Sequence, residues 1–255
     1  MLLAVDVGNS TTVVGLFRDD ELLHHWRLTT QDGWTSDELA LRLFGFFAYE
    51  GLSLRDDLDG IVVASVVPPV TEVIERLIDE HLRVPAIMVA PGIRTGIPLR
   101  YENPREIGAD RIANAVATVE LYGGPAIAVD FGTSTNFDAI DRNGAFVGGA
   151  IAPGVAISTA ALVARAAQLP EVVLVRPPAA IGRTTVQALQ SGIVYGFAGQ
   201  VDAIVERIAA ELGPNVTTVA TGGMASAVLD TCSSIDHHDP MLTLKGLRLI
   251  WDRNV

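Results

Sequence analysis

Asp130-Phe131-Gly132-Thr133-Ser134-Thr135-Asn136-Phe137-Asp138 has a counterpart near the start of the chain, Asp6-Val7-Gly8-Asn9-Ser10-Thr11-Thr12. Both read Asp, apolar, Gly, small polar, Ser, Thr. Each follows a short apolar run, Ala126-Ile127-Ala128-Val129 in one copy and Leu2-Leu3-Ala4-Val5 in the other. Either turn alone is an ordinary Asp-x-Gly turn. Two of them in matching strand contexts predict a unit repeated once, giving two similar lobes that face each other. Phosphate is the physical reason to keep such turns. After a strand, Gly lets the backbone turn tightly and present N–H groups and hydroxyls to an anion, while the Asp holds a cation.

Working outward, residues 2–7, 11–18 and 21–29 read as three strands in a meander, with Arg18-Asp19-Asp20 as a turn. Thr35-Ser36-Asp37-Glu38 opens a helix whose apolar side is Leu39, Leu41, Leu43, Phe44 and Phe47. A strand at 61–66, a helix starting at Pro68-Pro69 and a strand at 85–89 complete the half. Three strands, helix, strand, helix, strand is the plan of an actin-like half. The second half repeats it: strands at 125–130, 135–140 and 145–152, a helix over 155–167, and a strand at 216–220 that turns at Thr221-Gly222-Gly223 into a helix. A long helix starts near Thr184-Thr185 and ends at Gly213-Pro214. Its stripe of Val186, Leu189, Ile193, Phe197, Val201, Ile204 and Ile208 fits either core packing or a second subunit. A closing helix is expected at 242–251.

The expected fold is therefore α/β: duplicated actin-like (ribonuclease H-like) lobes, each a mixed five-stranded sheet with helices, with a cleft between them. The expected lobes are residues 1–118 and 119–255.

Hydrophobic residues make up 49% of the 255 positions and the net charge is −12, a balance that argues against nucleic acid or an anionic membrane surface as partner. Cys232 is the only cysteine, which excludes an intrachain disulfide and fits a reducing, cytoplasmic setting. No apolar tract reaches membrane-spanning length. Cys232 lacks an evident His partner and reads as a buried or semi-buried thiol. His237-His238, between Asp236 and Asp239, reads as a solvated turn before Pro240.

Between the repeats, Gly108-Ala109-Asp110-Arg111 opens a helix through Ile112, Ala115, Val116 and Val119. An ionised Asp110 in a first turn can accept a proton from an attacking hydroxyl, and Arg111 can bind a carboxylate or phosphate. Asp6, Asp110 and Asp130 converging on a triphosphate would repel it unless cations intervene, so Mg2+ and a further cation near Asp130 are expected. Neither Gly-x-x-x-x-Gly-Lys-Ser/Thr nor Gly-x-Gly-x-x-Gly occurs.

These motifs together resemble the type III pantothenate kinases of the acetate-kinase/sugar-kinase/Hsp70/actin superfamily. The resemblance covers essentially the whole chain. It rests on the two turns, on Asn103-Pro104 followed by Gly108-Ala109-Asp110-Arg111, and on Pro91-Gly92, Thr95-Gly96, Gly148-Gly149-Ala150-Ile151-Ala152-Pro153-Gly154 and Thr221-Gly222-Gly223-Met224-Ala225 in order. It implies ATP-dependent phosphorylation of pantothenate at its primary hydroxyl, the first step towards coenzyme A. By the same resemblance Asp6, Val7, Gly8, Asn9, Ser10, Thr11, Thr12, Val13 and Thr133 hold the ATP phosphates, and Asp110 is the general base. Asp130 coordinates potassium or ammonium. Tyr101, Gly108, Ala109, Asp110 and Arg111 bind pantothenate, with Thr185 supplied by the neighbouring subunit of a homodimer. Two positions depart from the family pattern: Ser10 and Asn136 stand where Thr is commoner. On the residues alone two alternatives stay open, an actin-like kinase for another small hydroxylated substrate and a non-catalytic regulatory relative.

Overall fold

The computed structural model describes residues 1–90 and 92–255, and Pro91, half of the Pro91-Gly92 match, lies outside them. The chain divides into two compact units: Met1–Gly96, Glu102–Ala117 and Thr243–Val255 form the first, Ile97–Tyr101 and Thr118–Leu242 the second.

The first unit begins with β1 (Leu2–Val7), β2 (Thr11–Arg18) and β3 (Glu21–Thr29), followed by α1 (Ser36–Tyr49), β4 (Gly60–Ser65), α2 (Pro68–Leu77) and β5 (Ala86–Met88). Strand order is β3-β2-β1-β4-β5, antiparallel through the meander and parallel from β1 to β4 and β4 to β5. β1 and β4 are covered on both faces, which is why they read as continuous apolar runs. α1 starts where the sequence places it: Thr35 accepts from the Glu38 N–H, and the Glu38 carboxylate returns the bond to the Thr35 N–H. Its buried face is Leu39, Ala40, Leu43 and Phe47. Leu41 is 74% exposed, contrary to its expected place on the apolar side, because two residues from Leu39 is half a turn away.

α3 (Ala109–Tyr122) leads into the second unit, which contains β6 (Ala126–Phe131), β7 (Ser134–Ile140), β8 (Phe146–Pro153), α4 (Val155–Arg165), α5 (Thr185–Leu212), β9 (Thr217–Thr221) and β10 (His237–His238). Its sheet runs β10-β9-β6-β7-β8, the same topology as the first with every number raised by five. β10 corrects the sequence reading of His237-His238. Both side chains are exposed as expected, but their backbone pairs in parallel with Val219 and Ala220 instead of forming a turn. The helix expected after Gly222-Gly223 is also absent; two short 3-10 turns, Ala225–Ala227 and Leu229–Thr231, take its place. Just downstream, Asp202 on α5 accepts hydrogen bonds from the backbone N–H groups and hydroxyls of Ser233 and Ser234.

Most of the α5 stripe packs within its own unit: Leu189, Ile193 and Val201 join Ile127, Val129, Phe131 and Phe137 in one core, and Phe197, Ile204 and Ile208 pack against it half-buried, while Val186 is exposed. The closing helix α6 (Leu242–Asp252) sits almost wholly in the first unit, so a single cut at 118/119 misses a return of the chain. Close approach explains the return. A Cβ on Gly60 would strike the Trp251 ring, and one on Gly246 would strike the Ala113 backbone.

Candidate active site

In the first unit the chain leaves β1 at Val7 and re-enters at Thr11. Asp6 pairs with Val13, and Val7 with Thr12. Thr30, past the end of β3, ties the turn down. Its hydroxyl donates to the Gly8 carbonyl at 2.8 Å and lies 2.9 Å from the Thr12 hydroxyl, and its N–H donates to the Ser10 carbonyl at 3.1 Å. In a trans peptide the N–H points opposite to the C=O, so the Asn9 amide faces away from Thr30. Asn9, Ser10 and Thr11 are exposed, while Thr12 is buried. An outward amide beside exposed hydroxyls suits a phosphate. Sequence reasoning missed Thr30, since nothing in the local pattern marks a Thr 22 residues from Gly8 as its partner.

Asp110 belongs to the same unit. Asn103 caps the short turn Pro104–Glu106, α3 begins when the Ile112 N–H bonds to the Gly108 carbonyl, and Asp110 lies in the first turn. Its Oδ1 accepts from the Arg111 N–H at 2.8 Å. Burial pushes the carboxyl above its ordinary value of 3.8, while the Arg111 N–H, the Arg111 charge and its own N–H pull the other way. Arg111 is only 7% exposed. Val66 connects this carboxylate to the first turn. Its N–H donates to the Val7 carbonyl at 3.1 Å, and its Cγ1 lies 3.6 Å from where a Cβ of Gly108 would be. The Asp6 turn and Asp110 thus meet at the carboxyl ends of the parallel pair β1 and β4, where open α/β sheets bind ligands.

In the second unit the turn is one residue shorter: Asp130 pairs with Asn136, and the Gly132 N–H donates to the Ser134 carbonyl at 2.9 Å. Glycines crowd it. A Cβ on Gly222, whose φ is +94°, would sit 2.5 Å from Asp130 Oδ1, and one on Gly154 would strike the carbonyls of Thr133 and Gly132. Asn136 is buried and its Oδ1 accepts from the Ser134 hydroxyl at 2.9 Å. Tyr101 lies edge-on to Phe146, with ring centroids 6.0 Å apart, and beside Gly148. Thr185 opens α5 exposed to solvent, after Thr184 has capped the helix.

Among the described residues no group of three or more His, Cys, Asp or Glu is arranged to hold a metal. Cys232 is half-buried as expected; burial and the nearby Asp202 push its thiol to about 11, far from a nucleophile's range.

The family profile of the type III pantothenate kinases matches residues 2–207. The chain belongs to that family. A relative from Moorella thermoacetica named type III pantothenate kinase is 53% identical, with all of both chains covered. Among solved structures, a Campylobacter jejuni protein described as a Baf family transcriptional activator superposes with a TM-score of 0.61 at 20% identity, covering 99% of this chain and 98% of its own. The activator of the 2-hydroxyisocaproyl-CoA dehydratase from Clostridium difficile, with bound ADPNP, gives 0.56 at 15% identity, covering 98% and 94%. At those identities the two structures speak only for the fold, that of the actin-like kinases and ATPases. Membership of the family makes the chain a pantothenate kinase, transferring a phosphoryl group from ATP to pantothenate at the entry to coenzyme A synthesis.

Proposed function

We propose that Asp110 is the general base of this transfer and that the two glycine turns hold the ATP phosphates. One observation carries the reading: a carboxylate raised by burial, one oxygen clamped by the Arg111 N–H, placed across Val66 from the Asp6 turn. With Oδ1 so held, Oδ2 takes the proton of pantothenate's primary hydroxyl as its oxygen bonds to the γ-phosphorus. The bond to the β–γ bridging oxygen breaks and ADP leaves. A carboxyl raised above the ordinary range is a stronger base than a solvated one.

Asp6 through Val13, with Thr133, hold the phosphates. Tyr101, Gly108, Ala109 and Arg111 hold pantothenate. Among the described residues no cluster of acids forms a metal cage, so Mg2+ would be held by the phosphates and water with Asp6 beside them and would neutralise charge on the phosphates. Asp130 suits potassium or ammonium, since its carboxylate lies in a cradle that a Cβ on Gly222 would fill.

We place the enzyme in the cytoplasm as a homodimer, with Thr185 reaching the neighbouring subunit's pocket. Exposed Ile157, Leu162 and Val186 support the dimer, as does a groove of about 400 Å³ between α4 and α5 lined by Leu162, Leu189, Ile193 and Phe197. The test is ADP release from ATP with Mg2+ and potassium, across pantothenate and a panel of sugars. Pantothenate alone should support turnover, and Asp110→Asn should lower it about 10³-fold with the fold intact. Turnover on a sugar, or an active Asp110→Asn protein, overturns the reading.

A further inference from the structure

We infer that Gly108 is a positioning residue for Asp110: the missing side chain at 108 is what lets the carboxylate lie back against the start of α3. The inference rests on the reading of Asp110 as base and adds a residue that acts through it.

Gly108 does not need to be glycine for its backbone, because its φ lies outside the left-handed region. Nor does the surrounding main chain exclude a methyl group. The nearest atoms to a Cβ built there are Asp110 Oδ1, which it would strike, then Asp110 Cγ and Val66 Cγ1 at 3.6 Å. A side chain at 108 therefore competes with the carboxylate for one space, and Val66 closes the other side. The carboxylate is the movable partner, being the far end of a side chain that can rotate about χ1. Rotation would break the 2.8 Å bond from the Arg111 N–H and carry the carboxylate out of the buried position it now occupies. Alanine at 108 should thus leave the fold standing and misplace the base. A misplacement of about 1 Å in a reacting group can cost about 10²-fold in rate.

The experiment uses the full chain and four proteins: wild type, Gly108→Ala, Asp110→Ala and the double variant. For Gly108→Ala, kcat should fall about 10²-fold with KM for ATP within about twofold. The acid limb of its kcat profile should move to lower pH, since burial is the largest influence raising Asp110 and would be relieved. The melting temperatures form a cycle that needs no activity. Gly108→Ala should destabilise the wild type more than it destabilises the Asp110→Ala protein, where no carboxylate is left to strike. Equal destabilisation in both backgrounds, or an unshifted acid limb in Gly108→Ala, would overturn the positioning role while leaving Asp110 as base. Failure of the base reading shows separately, as turnover retained by Asp110→Ala.

Discussion

The ends of β1 and β6 carry nearly the same words in sequence, sit at the same place in the same sheet topology, and are held by different means. In the first unit a side chain does the work: the Thr30 hydroxyl reaches Gly8 and Thr12, and the turn itself is exposed. In the second the holding is by shape. Gly154 and Gly222 bring main chain against Thr133, Gly132 and Asp130 so closely that no Cβ fits. The neighbouring parallel strand shows the same contrast. One residue beyond the partner of Asp6 lies Ser65, whose hydroxyl accepts from Thr71; the matching position beyond the partner of Asp130 is Gly222. Duplication thus conserves where a turn sits and leaves open how it is fixed. A turn fixed by a hydroxyl can adjust, whereas a turn fixed by excluded volume cannot.

The sharpest way to break this contrast is one methyl group in each turn. Gly154→Ala places a Cβ into the Thr133 and Gly132 carbonyls, both backbone, so nothing can swing aside. Overpacking of that kind should cost about 3 kcal/mol or more, a fall of roughly 6–12 °C in Tm for a chain of this size. Gly8→Ala meets only the Thr11 carbonyl, at 3.1 Å, and should cost about 1 kcal/mol. Thermal melts of the two variants side by side check the ordering. Equal losses would mean that the two turns are equally rigid.

A pH series tests what only the first unit carries, an acid buried at the start of α3. Burial raises Asp110 above its ordinary 3.8. A carboxyl raised on folding contributes stability that is full below its unfolded pKa and is lost as pH rises through its folded pKa. At neutral pH the wild type therefore bears a penalty that Asp110→Asn lacks. The variant should melt higher at pH 7, with the gain fading as pH falls through the raised pKa towards 3.8. If Asp110 is the base, turnover of the wild type should fall over the same acidic window, so kcat and melting are followed together from pH 4 to 8.

Thr30→Val probes the adjustable side. It keeps the shape of the side chain and removes both hydroxyl contacts, leaving the Gly8 carbonyl and the Thr12 hydroxyl without them. The loss should be about 1–2 kcal/mol of stability and a rise in KM for ATP, with KM for pantothenate little changed. Steady-state kinetics in both substrates separate this from a general loss of fold.

The fold was legible because its signals are local. β1, β2 and β3 fall on the residues that apolar runs and Asp or Gly turns mark out, and Thr35, Pro68, Thr184 and Gly213 bound their helices as capping chemistry requires. What was not legible depends on partners distant in sequence. Residues 224–232 have the apolar content of a helix yet form two 3-10 turns, and Ser233 and Ser234 after them are held by Asp202, far off in sequence on α5. Leu41 was misplaced by counting apolar residues without tracking their phase. At the candidate site the two Asp-x-Gly turns and the place of Asp110 in a first helical turn could be read from residue type and spacing. Thr30, Val66 and the burial of Arg111 could not, because each acts through a contact that only the folded sheet creates.

The smallest effect should come from Asn136→Thr, and its smallness is informative. Asn136 lies in the sequence just past the second glycine turn, two residues after Ser134. In the structure its Oδ1 is occupied locally, accepting from the Ser134 hydroxyl, and the residue is 9% exposed. A Thr there loses this bond but fits a strand well, being β-branched. If the second turn is fixed by Gly154 and Gly222, then Thr133 and Asp130 stay in place whichever residue occupies 136. Stability should then change by less than about 1 kcal/mol, the scale of one neutral hydrogen bond, and kcat should stay within about threefold, measured at saturating ATP with potassium varied. A large change in the potassium dependence would show instead that Ser134 and Asn136 help to set the geometry around Asp130, and that the second turn is less rigid than its glycines imply.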